Sequence, residues 1–184
     1  MKAYKKEYSI EVHNQIINWT GNCDTKASIV LAFIGVIVSI AFSSNYLLSV
    51  IEEQIHNIIV YWQYNIGHFC LLPALMFISL IGFLFCVGTS CRYAIFSLKA
   101  NIECSDESII FFGKIAEYSK KDYIAKVNSM NDEGYESDKL TQIHICAKIC
   151  HKKFRLYNKS LKWLFIGLLF FVCYVLFTVI LNAS

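Results

Sequence analysis

Four side chains that commonly bind metals lie close together late in the chain: His144, Cys146, Cys150 and His151. Each residue of an α-helix advances about 100° around the helix axis. His144 and His151 therefore share one side of a helix, and Cys146 and Cys150 share roughly the opposite side. Four ligands in that arrangement cannot converge on one zinc ion, so no metal site is expected.

A basic stretch overlaps these residues and leads into the last apolar run. Its members are Lys148, Lys152, Lys153, Arg155, Lys159 and Lys162. Basic residues beside a membrane span fix its orientation and attract anionic lipid. The alternative is an anion site, in which the phosphate of a nucleotide contacts Lys152, Lys153 or Arg155. The aromatic residues are interpreted as helix-packing groups rather than base-stacking groups, so no direct nucleic-acid binding is expected.

A second charged group lies at the start of the first apolar run, where Trp19 is followed by Asp24 and Lys26. An acid and a base in this position can pair with Arg92, at the end of the second run. Such a pair would hold the two helices in register, which gives these four residues a regulatory interpretation. The alternative is a simple helix cap beside a lysine that sets the membrane topology.

Signatures of catalysis are absent from the sequence. It contains no Walker loop, no Gly-x-Gly-x-x-Gly motif and no readable Ser-His-Asp arrangement. No nucleophile can be matched with a base, so the chain is not expected to be an enzyme, and no catalytic or cofactor-binding residue is assigned. The eight cysteines do not form the pattern of a disulfide framework and are interpreted as small apolar residues.

Three long runs without Asp, Glu, Lys or Arg must position these polar groups: residues 27–50, 69–91 and 163–181. Each is close to the ~20 residues that a helix needs to cross a ~30 Å hydrocarbon layer. A charged side chain at the bilayer centre would cost about 2.5–3.5 kcal/mol, so charge-free runs of this length indicate membrane spans. The sequence predicts an all-α membrane protein with three transmembrane helices and a helical cytoplasmic subdomain between spans 2 and 3.

The basic residues predict the orientation of these spans. Residues 1–26, read as an amphipathic helix, carry four lysines, and residues 92–162 carry the other thirteen of the 17 Lys and Arg. Residues 51–68 carry none. Because basic segments stay in the cytoplasm, the N-terminus and residues 92–162 are expected inside, and residues 51–68 and the C-terminus outside.

Local signals predict where the helices near the first two spans begin and end. Gly21-Asn22 is expected to interrupt the N-terminal helix. Asp24 or Thr25 then caps the first span, since a side-chain oxygen at a helix start accepts bonds from free backbone amides. Pro73 is expected in the first turn of the second span, where its missing amide proton is not needed.

The segment between the second and third spans is predicted to consist of helices. Ser119 followed by Asp122 resembles a capping box and begins a short helix. Residues 131–134 are interpreted as a turn. Ser137 or Asp138 is then expected to cap a helix that runs without a break to the end of the third span.

Small residues recur at four-residue spacing in the first span: Gly35, Ser39 and Ser43. Small side chains on one helix face allow two backbones to approach closely in lipid. The stripe therefore predicts a helix-packing surface. Two partners are possible, another span of the same chain or the same helix of a second copy in a homo-oligomer.

Four pieces of sequence, in this order relative to the spans, carry a resemblance to a known family. The pieces are Trp19 with residues 24–28, residues 108–115, Tyr123, and residues 142–143 with 148–149 and 152–155. The set resembles the transmembrane effector domain of Pycsar anti-phage systems, and the resemblance extends from about residue 8 to residue 180.

This resemblance implies a role in antiviral defence. Such effectors are multi-pass proteins of the bacterial inner membrane and accompany a nucleotidyl cyclase, whose cyclic pyrimidine nucleotide triggers them during infection. They impair the membrane, and the infected cell stops growing before phage are released. In an inner membrane, the orientation predicted from the basic residues gives a cytoplasmic N-terminus and a periplasmic C-terminus. The resemblance also implies a possible cyclic nucleotide signal and a functional link to a cyclase or another defence sensor.

Two further interpretations remain open. Similar membrane effectors accompany retrons, so the signal could come from a retron defence module. The chain could also be a scaffold without enzymatic activity that recruits a cytosolic partner through residues 92–160. The Pycsar role and the retron role both require a change in membrane permeability, whereas the scaffold role requires none.

Overall fold

The computed structural model describes residues 2–43, 71–99 and 108–183, together with residues 49, 51–52 and 55–56. In these parts the chain is helical and contains no strand. Most of the predicted loop at 51–68, and the ends of the first two spans that border it, lie outside the described residues. The helices are α1 (Lys2–Ser43), α2 (Leu71–Leu98), α3 (Phe112–Glu117), α4 (Lys120–Ser129) and α5 (Asp132–Ala183).

The predicted fold class is confirmed. Three segments of the described helices are long and apolar enough to cross a membrane: Glu7–Ser39, Ala74–Leu98 and Asp132–Ile180. They belong to α1, α2 and α5. Pro73 lies in the first turn of α2, as predicted, because a proline at that position sacrifices no helical hydrogen bond.

Helix α1 contradicts the predicted break at Gly21-Asn22, since it runs without interruption from Lys2 to Ser43. Glycine in a helix interior costs only about 1 kcal/mol relative to alanine. The backbone bonds and the packing of the residues on either side outweigh that penalty. Thr25 does not cap a new helix. Its hydroxyl donates to the carbonyl of Gly21, one turn earlier, at 3.0 Å, as threonines in helix interiors do.

The start of α5 also differs from the prediction. The helix begins at Asp132, in the segment interpreted as a turn, and Ser137 and Asp138 lie inside it. The side chain of Asn131 accepts a bond from the amide of Gly134 at 2.8 Å, which is the geometry of an N-terminal cap. Asp132 in the first turn suits the positive end of the helix dipole.

The predicted start of α4 is confirmed. The Ser119 hydroxyl accepts a bond from the amide of Asp122, at 3.2 Å, and donates one to its carboxylate, at 2.6 Å. The two side chains thus satisfy each other and a free amide of the first turn. Asp122 lies in that turn, where the helix dipole favours an acid.

The chain divides into two compact units. The polar unit consists of Met1–Lys26 and Ser97–Arg155, and the apolar unit consists of Ala27–Phe96 and Leu156–Ser184. The polar unit therefore contains α3 and α4 with the first part of α5. The apolar unit contains most of the residues of the three predicted spans.

Side chains from all three long helices form the core of the apolar unit. Val30 and Ile34 of α1 pack with Phe83 and Val87 of α2 and with Leu164 of α5. All five are buried. Successive contacts on α1 are four residues apart, so one face of the helix is committed to this core.

Helices α2 and α5 run antiparallel in the apolar unit and approach each other closely. A Cβ at Gly82 would lie 2.8 Å from the ring of Phe170, and one at Gly167 would lie 3.2 Å from the Cβ of Cys86. Glycine permits this approach because it has no side chain. Close contact of this kind supplies the packing energy that holds helices together in lipid.

A reciprocal pair of serine bonds joins the same two helices. The hydroxyl of Ser90 donates to the carbonyl of Ser160, and the hydroxyl of Ser160 donates to the carbonyl of Ser90, both at 2.8 Å. Both side chains are completely buried. Each hydroxyl therefore satisfies its donor on the opposite helix, and the pair fixes the register of α2 against α5.

The close approach at Gly167 predicts a difference between two matched substitutions. Gly167→Val should destabilise the protein by about 1–3 kcal/mol, since the added methyl groups force α2 and α5 apart. Gly88→Val makes the same change where a Cβ meets no atom within 4 Å, so it should cost much less. Thermal unfolding in detergent, followed by circular dichroism, measures both. Equal losses of stability would contradict the packing described above.

Candidate functional site

An ion pair between distant residues joins α1 to α5 inside the polar unit. The Nζ of Lys153 donates to a carboxylate oxygen of Asp24 at 2.5 Å. The side chain of Lys153 is 11% exposed and that of Asp24 is 36% exposed. Partial burial of this kind makes the attraction stronger than that of a surface pair, because water screens the charges less.

Two more side chains complete what we call the charged junction, which consists of Cys23, Asp24, Ser97 and Lys153. The hydroxyl of Ser97, at the end of α2, donates to the backbone carbonyl of Lys153 at 3.1 Å. The same hydroxyl lies 3.9 Å from the sulfur of Cys23. Ser97 and Cys23 are fully buried, so three helices meet at this point of the polar unit.

Burial in the charged junction keeps the Cys23 thiol neutral. Burial raises the pKa of the Cys23 thiol above its ordinary value, and the neighbouring Asp24 carboxylate acts in the same direction. The contact with the Ser97 hydroxyl lowers this pKa, by less than burial raises it but by more than Asp24 does, and Lys153 has a smaller lowering effect. Cys23, which precedes the predicted span at 27–50, is therefore a protonated thiol rather than a reactive thiolate at neutral pH.

A second polar cluster, the serine hub, surrounds Ser108. Its hydroxyl donates to the carboxylate of Asp138 at 3.1 Å and accepts a bond from the side-chain amide of Gln142 at 2.9 Å. Backbone amides of Ile110 and Phe111 also point to this hydroxyl, at 3.2 and 3.1 Å. Ser108 is 1% exposed, so these contacts satisfy polar groups that water does not reach.

Asp138 has a different role from the predicted one. Its carboxylate accepts bonds from the Ser108 hydroxyl and, at 2.9 Å, from the amide of Ile109. The hydroxyl of Tyr123 donates to the carbonyl of Ile109 at 3.3 Å. Asp138 therefore does not cap α5 but binds residues 108 and 109, which lead into α3. Tyr123 connects α4 to the same segment.

Near the amino end of α1, the polar unit contains one more contact between α1 and α5. The buried Ser9 hydroxyl donates to the carboxylate of Glu136 at 3.2 Å. Residue numbers increase together from this contact to the Asp24–Lys153 ion pair, so the two helices run parallel in the polar unit.

The structure separates the residues that the sequence marked as regulatory or anion-binding. Trp19 and Lys26 are exposed, as are Lys152 and Arg155, whereas Lys153 is buried. The ammonium of Lys153 contacts Asp24 and is therefore already engaged within the polar unit.

Arg92, the predicted partner of Asp24 or Lys26, belongs to the apolar unit. Its side chain is exposed, and its guanidinium lies 5.6 Å from the centre of the Phe96 ring, one turn along α2. The pairing of Arg92 with Asp24 or Lys26 stays a prediction.

The predicted packing stripe faces away from the core of the apolar unit. Gly35 and Ser39 are exposed, and a Cβ at Gly35 would meet no atom within 4 Å. The buried residues Val30 and Ile34 lie on the other side of α1. The side chain of Ser43 lies outside the described part of the chain. Among the described residues, no other span contacts Gly35, and contact with a second copy stays a prediction.

Sequence reasoning missed the serines that the structure places between helices. A signal for them exists in retrospect: Ser90 and Ser97 are seven residues apart on α2, as are Lys153 and Ser160 on α5. Seven residues are close to two helical turns, so each pair shares one helix face. A polar residue repeated on an otherwise apolar face must find a partner on a neighbouring helix.

The fold and these contacts define a class, that of all-helical membrane proteins whose polar groups connect helices. Within the described residues, no group of three or more His, Cys, Asp or Glu side chains is arranged to hold a metal ion. The chain belongs to the Pycsar effector protein domain family, whose model matches residues 8–180.

A relative among characterised proteins supports this membership. The chain is 29% identical over 178 residues to the Pycsar effector protein GmPycTM of Gulbenkiania mobilis, a match that covers 91% of this chain and 89% of the relative. No solved structure matches the chain. The family that the sequence pieces predicted is therefore confirmed, and with it a location in a membrane.

The serine hub predicts the effect of removing one hydroxyl. Ser108→Ala leaves the side chain of Gln142 and two backbone amides without their partner, so it should cost about 1–3 kcal/mol of stability. Ser129→Ala is the matched control, since the Ser129 hydroxyl is exposed and bonds the carbonyl of Lys126, one turn earlier on the same helix. Hydrogen exchange in detergent should show faster exchange at the amides of Ile110 and Phe111 in the first variant alone. Unchanged exchange at those amides would contradict the assigned bonds.

Proposed function

We propose that this protein is a membrane effector of a bacterial anti-phage system that acts by abortive infection. A nucleotide or another signal produced during phage infection triggers it, and it then impairs the integrity of the inner membrane. The observation that carries this proposal is the match of the Pycsar effector family to residues 8–180, almost the whole chain. The three long apolar helices supply the membrane contact that such an action requires.

The mechanism is a shift between two states. In the resting state the three helices pack as described, and in the active state they associate between copies and allow leakage. To move such an equilibrium from 1:99 to 99:1, the signal must bind the active state more tightly by about 5.5 kcal/mol. Charge-assisted contacts to phosphate can supply much of this difference.

The exposed face of α1 is the proposed surface for association between copies. Val30 and Ile34 occupy the opposite face and pack inside the apolar unit. Gly35 and Ser39 are left uncovered, so a second helix can approach the α1 backbone there without displacing any contact of the resting state.

The signal is proposed to reach the polar unit. Lys152 and Arg155 are exposed on α5 and carry charges suited to a phosphate group. Trp19 and Lys26 are exposed on α1 and are proposed as further regulatory residues, with Arg92. In the orientation proposed here, the N-terminus and the polar unit face the cytoplasm, where a cyclase or another defence sensor produces its signal, and the C-terminus faces the periplasm.

Two alternatives differ in testable ways. If the protein serves a retron, leakage follows infection but not the addition of a cyclic nucleotide. If it is a scaffold, a partner binds residues 92–160 and no leakage occurs. One observation favours the scaffold: α3 and α4 contain no buried residue, and Phe112 and Ile124 are 71% and 46% exposed.

Dye entry in infected cells tests the proposal. Cells that carry the protein and its neighbouring defence genes should admit propidium iodide and lose membrane potential before phage lysis. Cells that lack only this protein should exclude the dye until lysis. The effector role is wrong if infected cells keep their membrane potential while the protein is present.

A matched pair of variants connects this result to the exposed face of α1. Gly35→Leu should reduce dye entry about tenfold, the effect of losing ~1.4 kcal/mol of association energy. Gly88→Leu places the same side chain at another open position, on α2, and should leave dye entry unchanged. Chemical cross-linking in membranes should show fewer oligomers for the first variant only.

A further inference from the structure

Lys153 is the one charged residue that is buried among the described residues. It is 8% exposed, and the other buried polar residues are serines and one glutamine. Burial of an ammonium group is costly because the charge loses its hydration. The contact with Asp24 offsets this cost, so the position of α5 against α1 in the polar unit depends on the ion pair.

Stability alone does not explain this choice of residues. Replacing a buried ion pair by well-packed apolar side chains is often neutral or stabilising, whereas removal of one partner leaves an unpaired buried charge and is strongly destabilising. An apolar contact between α1 and α5 would therefore hold the helices at least as firmly. The ion pair differs in that each charge regains hydration when the helices separate, which lowers the cost of opening.

The surroundings of the ion pair fit a contact that opens from one side. The Asp24 side chain is 36% exposed, so water already reaches the carboxylate. The backbone carbonyl of Lys153 accepts a hydrogen bond from Ser97 of α2, and the Ser97 hydroxyl contacts the sulfur of Cys23 of α1. Loss of the Asp24–Lys153 contact therefore loosens three helices at a single point and uncovers Cys23, which is fully buried in the structure.

We propose that the charged junction is a latch that holds the middle of α1, the end of α2 and the middle of α5 together at rest, and that its opening exposes Cys23. Its regulatory meaning rests on the proposed function, in which the resting arrangement must be released. The latch itself is a property of the polar unit and can be measured without any phage.

The test compares the reactivity of Cys23 in a double-mutant cycle. Isolated membranes are treated with N-ethylmaleimide, and mass spectrometry measures the modification of each cysteine. Asp24→Leu and Lys153→Met should each increase the rate at Cys23 about tenfold or more, since each removes the contact between Asp24 and Lys153 while one of the two charges stays in place. In the double variant neither charge remains to draw water into the junction, so Cys23 should react as slowly as in the wild type or more slowly. Lys148→Gln removes an exposed charge of α5 in the polar unit and should leave the rate at Cys23 unchanged.

Two half-buried cysteines serve as internal controls, Cys146 in the polar unit and Cys91 in the apolar unit. Their rates should stay constant in all variants. The proposal is overturned if Cys23 stays protected in both single variants, or if the double variant is as reactive as they are. It is also overturned if Cys146 and Cys91 become reactive together with Cys23, because the ion pair would then only maintain the fold.

Growth of uninfected cells separates the latch from the proposed function. The single variants should slow growth without infection, and the double variant should fail to respond to infection. If the Cys23 rates follow the predicted cycle but growth never changes, the latch is supported and the effector function is contradicted.

Discussion

The absence of water from the hydrocarbon layer is the constraint on which the structure depends. A backbone amide or carbonyl in lipid must be bonded within its own segment, so each span has to be a continuous helix. Helices α1, α2 and α5 meet this requirement, and two of them extend well beyond the predicted spans. Once such a helix exists, extending it adds one bond for each residue fixed, which explains how α1 continues through Gly21-Asn22.

Lipid also changes what can hold helices together. Apolar side chains gain little by leaving a solvent as apolar as they are, so close packing and polar contacts must contribute. The apolar unit uses the close approach at Gly167 and the reciprocal bonds of Ser90 and Ser160. The polar unit instead uses an ion pair between Asp24 and Lys153, which tolerates opening because its charges can return to water.

The fold class could be predicted because the length of charge-free runs decides it. The cap at Ser119 could be predicted because it depends only on residues that are neighbours in the sequence. The starts of helices were less predictable, since Asn131 and Ser137 are both good capping residues. The structure shows that Asn131 caps α5, through its bond to the amide of Gly134, while Asp138 contacts Ser108 instead. The four pieces of sequence that indicated the family carried no information on their mutual contacts. The structure joins them in pairs, through the Asp24–Lys153 ion pair and through Ser108 and Gln142, because register between distant helices is fixed only by packing in three dimensions.

Accessibility of an inserted tag in spheroplasts tests the membrane arrangement most directly. A protease added outside should cut a tag inserted at residue 60, between the first two spans. It should not cut a tag inserted at residue 131 until the membrane is broken, since that position precedes α5 on the lysine-bearing side. Protection of the tag at residue 60 in intact spheroplasts, or recovery of the untagged protein in the soluble fraction without detergent, would contradict the account.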